Sequence, residues 1–126
     1  MGIVLGGYNF LQIFDEKSHE DLEGGIFESL ALLFRKRVRL YVYPYKDEKD
    51  QEAINCQNFV VPRKMQPLYQ YLMENDCLKD LQECDENILH IYSRKVLDMI
   101  KSGDAAWETM VPKEVAGLIK KEKFFQ

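Results

Sequence analysis

Residues 37–43, with the sequence Arg-Val-Arg-Leu-Tyr-Val-Tyr, are the stretch that decides the fold. Three aliphatic side chains, Val38, Leu40 and Val42, alternate there with arginine and tyrosine, which is the period of a β-strand with one buried face. Pro44 follows at once and has no backbone N–H to donate to a ladder, so the strand is expected to end there. The pattern therefore predicts a strand whose aliphatic face lies in a core.

The N-terminal residues predict a second strand and a short helical segment. Residues 3–5, Ile-Val-Leu, are apolar and are followed by Gly6 and Gly7, as in a buried strand that enters a tight turn. The aromatic and aliphatic residues of segment 10–14 then have the spacing of one helical face.

A helix is also predicted between this segment and the strand at 37–43. The apolar residues of segment 26–34 have helical spacing, and Ser18 resembles a helix cap. Gly24 and Gly25 lie between them, and each glycine costs about 1 kcal/mol in a helix interior. Two interpretations remain open: the helix begins after the glycines, or another backbone packs closely against them.

The rest of the chain predicts further strands and helices in alternation. In order, they are a short strand at 59–61, a helix at 64–76 with Pro67 in its first turn, strands at 78–81 and 88–92, a helix from Ser93 to a stop at Gly103, and a last helix that begins at Pro112. Strands that alternate with helices indicate an α/β fold with a parallel sheet.

We therefore predict one α/β domain over residues 1–126, a Rossmann-like parallel sheet flanked by helices with small helices at the C-terminus. Segment 1–45 is expected to be strand-helix-strand, 46–61 an insertion loop, and 62–126 a helix and strand followed by a helical tail. The charged run at 47–52 is predicted to be solvated, because its spacing matches no metal-binding loop.

Composition excludes several classes of function. The 126 residues include 17 basic and 21 acidic side chains, a net charge of −4, so neither nucleic acid nor an anionic membrane surface is expected as a partner. Three cysteines without CxxC spacing argue against a disulfide scaffold and a zinc site, and favour a reducing, cytoplasmic location. We see no signal peptide, and no apolar stretch of about 18 residues predicts a membrane span.

The first candidate binding site follows the first predicted strand. Ligands of open parallel sheets bind at the carboxyl ends of the strands. Gly6 and Gly7 would let a ligand approach the backbone and would leave N–H groups free for its oxygens, and Asn9 would line the same cleft. The alternative is an ordinary tight turn.

The second candidate site is the start of the helix at Ser93. A helix N-terminus carries partial positive charge and unpaired N–H groups, which together attract phosphate. Ser93 is placed as the N-cap, and Arg94 adds a forked cation that suits a phosphate group. The alternative is a capped helix with a solvated arginine. No catalytic residue, metal ligand or covalently bound cofactor is predicted.

The C-terminal residues resemble the end of the nicotinate and nicotinamide mononucleotide adenylyltransferases. The pattern of that family is Ile-Ser-Ser-Thr-x-x-Arg, a short helix, Gly, then Leu-Val-Pro-x-x-Val-x-x-Tyr-Ile and a final Leu-Tyr. The matching residues here are Ile91-Tyr92-Ser93-Arg94, Gly103, Met110-Val111-Pro112, Val115, Ile119 and Phe124-Phe125. Upstream, segment 4–10 is similar to the family's Gly-Ala-Asp-Asn turn and segment 40–44 to its next strand.

The resemblance implies that the chain corresponds to the second half of that fold. The function it implies is the nucleotide- and phosphate-binding part of an adenylyltransferase of NAD biosynthesis, which joins ATP, carried with Mg²⁺, to a mononucleotide. An N-terminal half or a partner chain would have to supply the rest, and a homo-oligomer is also compatible with the sequence. Gly6, Gly7, Asn9, Ser93 and Arg94 are the implied nucleotide contacts.

The chain departs from the family at residues that carry its chemistry. The family's Gly-x-Phe-x-Pro-x-His-x-Gly-His segment, which holds the ATP phosphates, does not occur in the 126 residues, so this chain alone is expected to be inactive. The family's turn Asp is Tyr8, its Thr is Arg94 and its phosphate-contacting Arg is Leu97. These departures support the alternative, a non-catalytic interaction or regulatory module with the same architecture.

Overall fold

The computed structural model describes residues 1–46, 49 and 52–125, which group into two compact units, residues 1–84 and 85–126. The first unit is a mixed α/β unit. Its elements are β1 (Gly2–Gly6), α1 (Gly7–Ile13), α2 (Gly25–Phe34), β2 (Arg39–Tyr43), α3 (Gln66–Glu74) and β3 (Leu78–Asp80). The predicted division at residues 45 and 61 thus falls inside the first unit; that the two units make up one domain stays a prediction.

The three strands form one parallel sheet in the order β1-β2-β3. Ile3 of β1 lies opposite Leu40 of β2, which lies opposite Leu78 of β3. This confirms the predicted strands at 3–5, 37–43 and 78–81, and it confirms a parallel α/β sheet. Because β2 is the middle strand, its alternating aliphatic residues lie at the centre of the unit, where Leu40 is fully buried.

The core of the first unit lies where helices pack on the sheet. Buried residues of α1, α2 and α3 join the aliphatic residues of β2 and β3 in one cluster. Side chains alternate between the two faces of a strand, so Val4 points away from that core, and 63% of its surface is exposed. The helices therefore cover β1 on one face only.

Aromatic rings form the part of this core that joins α1 to α3. The ring of Phe10 lies 5.1 Å from that of Phe59 and 5.4 Å from that of Phe14, in edge-to-face geometry. Phe14 in turn lies 5.1 Å from Tyr69 of α3. Such pairs stabilise by about 0.5–1.5 kcal/mol beyond their buried area. Phe10 and Phe14 are buried, which confirms the predicted helical face of segment 10–14.

Two local predictions in this unit are wrong. Ser18 does not start a helix: its hydroxyl donates to Asp15, whose carboxylate caps a 3₁₀ turn at Glu16–His19. The helix α2 begins at Gly25 with Gly24 as its N-cap, so the paired glycines lie at the helix start and not in its interior, one residue earlier than the first interpretation expected. The strand predicted at 59–61 is absent because the Phe59 N–H donates to the Asn55 carbonyl and closes a turn instead.

The insertion that follows β2 is partly described. Tyr45 and Ile54 form an antiparallel bridge through two backbone hydrogen bonds, of 2.9 and 2.6 Å. Residues 47, 48, 50 and 51 of the charged run lie outside the described residues, so its predicted solvation stays a prediction.

The second unit contains two helices, α4 (Ser93–Ser102) and α5 (Lys113–Glu122). Gly103 ends α4 at φ 77°, a left-handed conformation that favours glycine, as the sequence predicts. Pro112 is the N-cap of α5 rather than its first residue. The small core of this unit contains Trp107 and residues of both helices, namely Val96, Ile100, Ala116 and Ile119.

The prediction of a strand at 88–92 is wrong. Asp85 accepts a hydrogen bond from the Asn87 N–H and caps a 3₁₀ turn at Glu86–Ile88. The Ile91 N–H then donates to the Ile88 carbonyl, so these residues turn instead of extending. Local capping by an aspartate thus overrides the strand propensity of the apolar residues that follow it. Within the described ranges, no helix combines the length and the apolar character that crossing a bilayer requires.

Candidate functional site

The glycine turn after β1 is built differently at its two glycines. Gly7 is the first residue of α1 and is buried, and a Cβ placed there would overlap the Cβ of Tyr45 and lie 3.4 Å from its Cα. Gly6 is exposed, and a Cβ there would meet no atom within 4 Å. Asn9 is exposed on α1. Gly7 is therefore required by packing against the chain that follows β2, whereas the space beside the Cα of Gly6 is open.

The N-terminus of α4 combines backbone hydrogen-bond donors with positively charged side chains. Its N-cap is Tyr92, in an extended conformation, so the prediction that Ser93 is the N-cap is wrong. The first intrahelical bond runs from the Val96 N–H to the Tyr92 carbonyl, so the hydrogen-bonded ladder of α4 begins there. Ser93 and Arg94 are exposed, Lys95 follows them, and no acidic residue lies in this first turn.

The predicted nucleotide contacts are divided between the two units. Gly6, Gly7 and Asn9 belong to the first unit, and Ser93 and Arg94 belong to the second. Within each unit the predicted residues are neighbours at the start of a helix. That these residues contact a nucleotide stays a prediction.

An apolar cavity of about 330 Å³ in the second unit was missed by sequence reasoning. One polar side chain lines it, Ser93 at the start of α4. The other lining residues are Ile91, Val96, Leu97, Ile100, Met110, Val111, Ile119 and Phe125. The helical spacing of the apolar residues in α4 was visible in the sequence, but it predicts a packed face equally well.

A second feature missed by sequence reasoning is a hydrogen-bonded group beside the carboxyl end of β3, formed by the half-buried Asp80 with the buried residues Cys56 and Tyr69. The carboxylate of Asp80 accepts a hydrogen bond of 2.7 Å from the backbone N–H of Cys56. The hydroxyl of Tyr69 donates to the Cys56 carbonyl at 2.8 Å. These bonds fix the turn of the insertion to α3 and β3, a structural role.

The chemistry of this group is not nucleophilic. Burial first, and the neighbouring Asp80 carboxylate second, raise the pKa of the Cys56 thiol to about 12. Burial also raises the pKa of the Tyr69 hydroxyl above its ordinary range, with Cys56 and Asp80 as lesser causes. A thiolate is the nucleophilic form of cysteine, so Cys56 is unreactive at neutral pH.

The raised pKa of Cys56 predicts a loss of stability in alkali. In the unfolded chain a thiol loses its proton near pH 8.5, whereas the folded protein keeps it, so stability is full below that pH and falls above it. Between pH 8 and pH 10 we expect the free energy of unfolding of the wild type to fall by about 1–2 kcal/mol more than that of Cys56→Ala. Urea denaturation at both pH values measures the difference, and parallel pH profiles of the two proteins would contradict it.

Metal binding receives no support from the described part of the chain. Among those residues, no three His, Cys, Asp or Glu side chains come close enough together to hold a metal ion. The ring Nε2 of His19 lies 2.9 Å from the Ile13 carbonyl oxygen, which indicates a structural role for this histidine. All three cysteines are free.

Comparisons of this chain with protein-family models, curated proteins and solved structures found no match.

Proposed function

We propose that this chain is the nucleotide- and phosphate-binding part of an adenylyltransferase-like protein that uses Mg²⁺-ATP and a mononucleotide. The observation that carries the proposal is the first turn of α4, where the helix N-terminus, the exposed Ser93 and the exposed Arg94 lie together and the turn itself contains no acidic residue. A helix N-terminus of this kind binds phosphate oxygens through its N–H groups and its dipole.

The glycine turn of the first unit is proposed as a further nucleotide contact. Gly6 lies at the carboxyl end of β1 in a parallel sheet, the edge at which α/β proteins bind their ligands. Gly6, which has open space beside its Cα, and the exposed Asn9 would contact the nucleotide, while Gly7 serves the packing of the turn. The parallel three-stranded sheet is compatible with half of a Rossmann-like fold.

The chain itself is proposed to bind and position, not to catalyse. No segment of the Gly-x-Phe-x-Pro-x-His-x-Gly-His type occurs in it, so a further half or a partner chain would stabilise the transferring phosphate. The setting we propose is the cytoplasm, in keeping with the three free thiols.

Replacing Arg94 with alanine is the test of this proposal. A hydrogen bond to a charged group contributes about 1.5–3 kcal/mol, so we expect Arg94→Ala to weaken binding of ATP and of nicotinate mononucleotide at least about tenfold. Isothermal titration calorimetry measures both ligands. Lys101→Ala is the matched control, because Lys101 is an exposed cation in the last turn of the same helix.

Three results would contradict the proposal. Absence of nucleotide binding by the wild type would refute it outright. Equal nucleotide affinities of Arg94→Ala and wild type would show that α4 is not part of the binding site. Formation of a dinucleotide from ATP, Mg²⁺ and mononucleotide by the chain alone would refute its inactivity.

A non-catalytic interaction module is the second candidate, and the exposed face of α5 favours it. Ala116 and Ile119 are buried on one side of this helix, while Val115 and Leu118 are exposed on another, Leu118 to 53%. Exposed apolar side chains grouped on one face mark interaction surfaces. If the chain is such a module, we expect wild type and Arg94→Ala to fold alike and neither of them to bind nucleotide.

A further inference from the structure

We propose that the apolar cavity of the second unit binds a small amphiphile, an alkyl chain with an anionic head such as a free medium-chain carboxylate. Ligand sites in proteins have volumes of about 300–1,000 Å³, apolar walls and a few placed polar groups. The cavity of about 330 Å³ has this composition at the small end of the range. The inference goes beyond nucleotide binding and does not depend on it.

The walls of the cavity select an alkyl chain. Leu97 of α4 and Met110 and Val111 before α5 are only half-buried, so they present apolar surface that no other described side chain fully covers. An apolar chain that enters the cavity removes this surface from water, and the hydrophobic effect favours that transfer. A purine or pyridine ring carries polar nitrogen atoms and exocyclic groups, and the cavity lining has the Ser93 hydroxyl as its polar side chain. Most polar groups of such a ring would therefore be buried without a hydrogen bond, which is unfavourable.

The head of the ligand is assigned by charge. The polar residue of the lining, Ser93, is also the first residue of α4, so this end of the cavity adjoins the N–H groups of the helix N-terminus. Arg94 and Lys95 are the next two residues, and the first turn contains no carboxylate. An anionic head at this end would be stabilised by the Ser93 hydroxyl, by the helix dipole and by the positive charge of both side chains.

Phe125 gives the cavity a displaceable wall. Its ring lines the cavity although 60% of the residue is exposed, and its backbone has φ 66°, a left-handed conformation. The tail reaches this position because Lys123 is also left-handed and the Phe124 N–H donates to the Ile119 carbonyl. Since most of Phe125 is already in contact with water, moving it aside to admit a chain sacrifices little buried area.

Titration with octanoate, below the concentration at which it aggregates, tests the proposal by NMR on the full chain. We expect saturable shifts of the backbone amides of Ser93, Arg94 and Lys95 and of the methyl groups of Leu97 and Val111. Acetate is expected to leave those methyl signals unchanged, and 1-octanol to bind about two- to fivefold more weakly than octanoate, because it lacks the charge.

Two pairs of variants separate the chain site from the head site. Leu97→Trp fills the cavity and is expected to reduce octanoate binding at least tenfold, whereas Leu32→Trp, a half-exposed position on α2, is its control. Arg94→Glu is expected to weaken octanoate but not 1-octanol, with Lys101→Glu as its control.

Several outcomes would overturn the proposal. They are absence of octanoate shifts in the wild type, equal affinity for octanoate and 1-octanol, and association with phosphatidylglycerol vesicles without binding of monomeric octanoate. The octanoate-induced NMR shifts of the wild type test the proposal even where Leu97→Trp fails to fold. Nucleotide titrations are a separate experiment, so failure of the octanoate proposal is distinguishable from failure of the nucleotide proposal.

Discussion

Replacement of Phe10 with alanine is expected to lower the free energy of unfolding of the first unit by about 3–5 kcal/mol. Phe10 is 1% exposed, and its ring contacts Phe14, Phe59 and Tyr69 in the aromatic cluster. Truncation would leave a cavity between α1, α3 and the insertion, and stiff aromatic neighbours would close it only in part. Small domains are stable by about 5–15 kcal/mol, so the loss is a large share of the total. Urea denaturation followed by circular dichroism measures it.

Phe27→Ala is the matched control for this prediction. Phe27 is 71% exposed on α2, so removing its ring should change the free energy of unfolding by no more than about 0.5 kcal/mol. Equal destabilisation by the two substitutions would show that the aromatic cluster is not the centre of the core.

Replacement of Gly7 with alanine is expected to destabilise the first unit by about 1–3 kcal/mol. The added methyl group would overlap the Cβ of Tyr45, an atom next to the backbone that cannot swing away as the end of a side chain can. Either the insertion after β2 or the start of α1 would have to shift. Thermal unfolding measures the effect, and restored stability in Gly7→Ala combined with Tyr45→Gly would assign it to this contact.

Gly6→Ala separates the packing role of the turn from its ligand role. The Cβ of an alanine at position 6 would meet no atom within 4 Å, and the φ of −73° at Gly6 is one that alanine adopts readily. Its unfavourable effect as an N-cap and its favourable effect on the entropy of the unfolded chain should cancel to within about 0.5 kcal/mol. Equal losses at the two positions would contradict the different roles that the structure assigns to these glycines.

The sheet could be predicted from the sequence because its strands have signals of their own. The alternation around Leu40 predicts β2, and the apolar run at Ile3 ending in glycines predicts β1. The strand predicted at 88–92 failed because Asp85 forms hydrogen bonds locally. A hydrophobic pattern alone does not show whether an aspartate just before it caps a turn and so prevents an extended strand.

The candidate site could be predicted only in part, for a related reason. Helix starts near Gly7 and Ser93 follow from local sequence, but whether a glycine there serves packing or a ligand depends on what lies opposite. Tyr45, which faces Gly7, is distant in sequence. The bonds from Cys56 and Tyr69 and the open cavity beside Leu97 likewise depend on side chains that only the folded chain brings together.

The position of β2 between β1 and β3 has a consequence for the order of assembly. Parallel neighbours cannot form by zipping from a hairpin, since a long crossover separates each strand from the next. Both ladders use β2, with five of its residues paired to β1 and three to β3, so the entropy of closing two long loops is recovered only when β2 is in place. Neither edge strand has another described strand with which to pair. We therefore expect the first unit to fold in a single cooperative step that requires the segment Arg39–Tyr43.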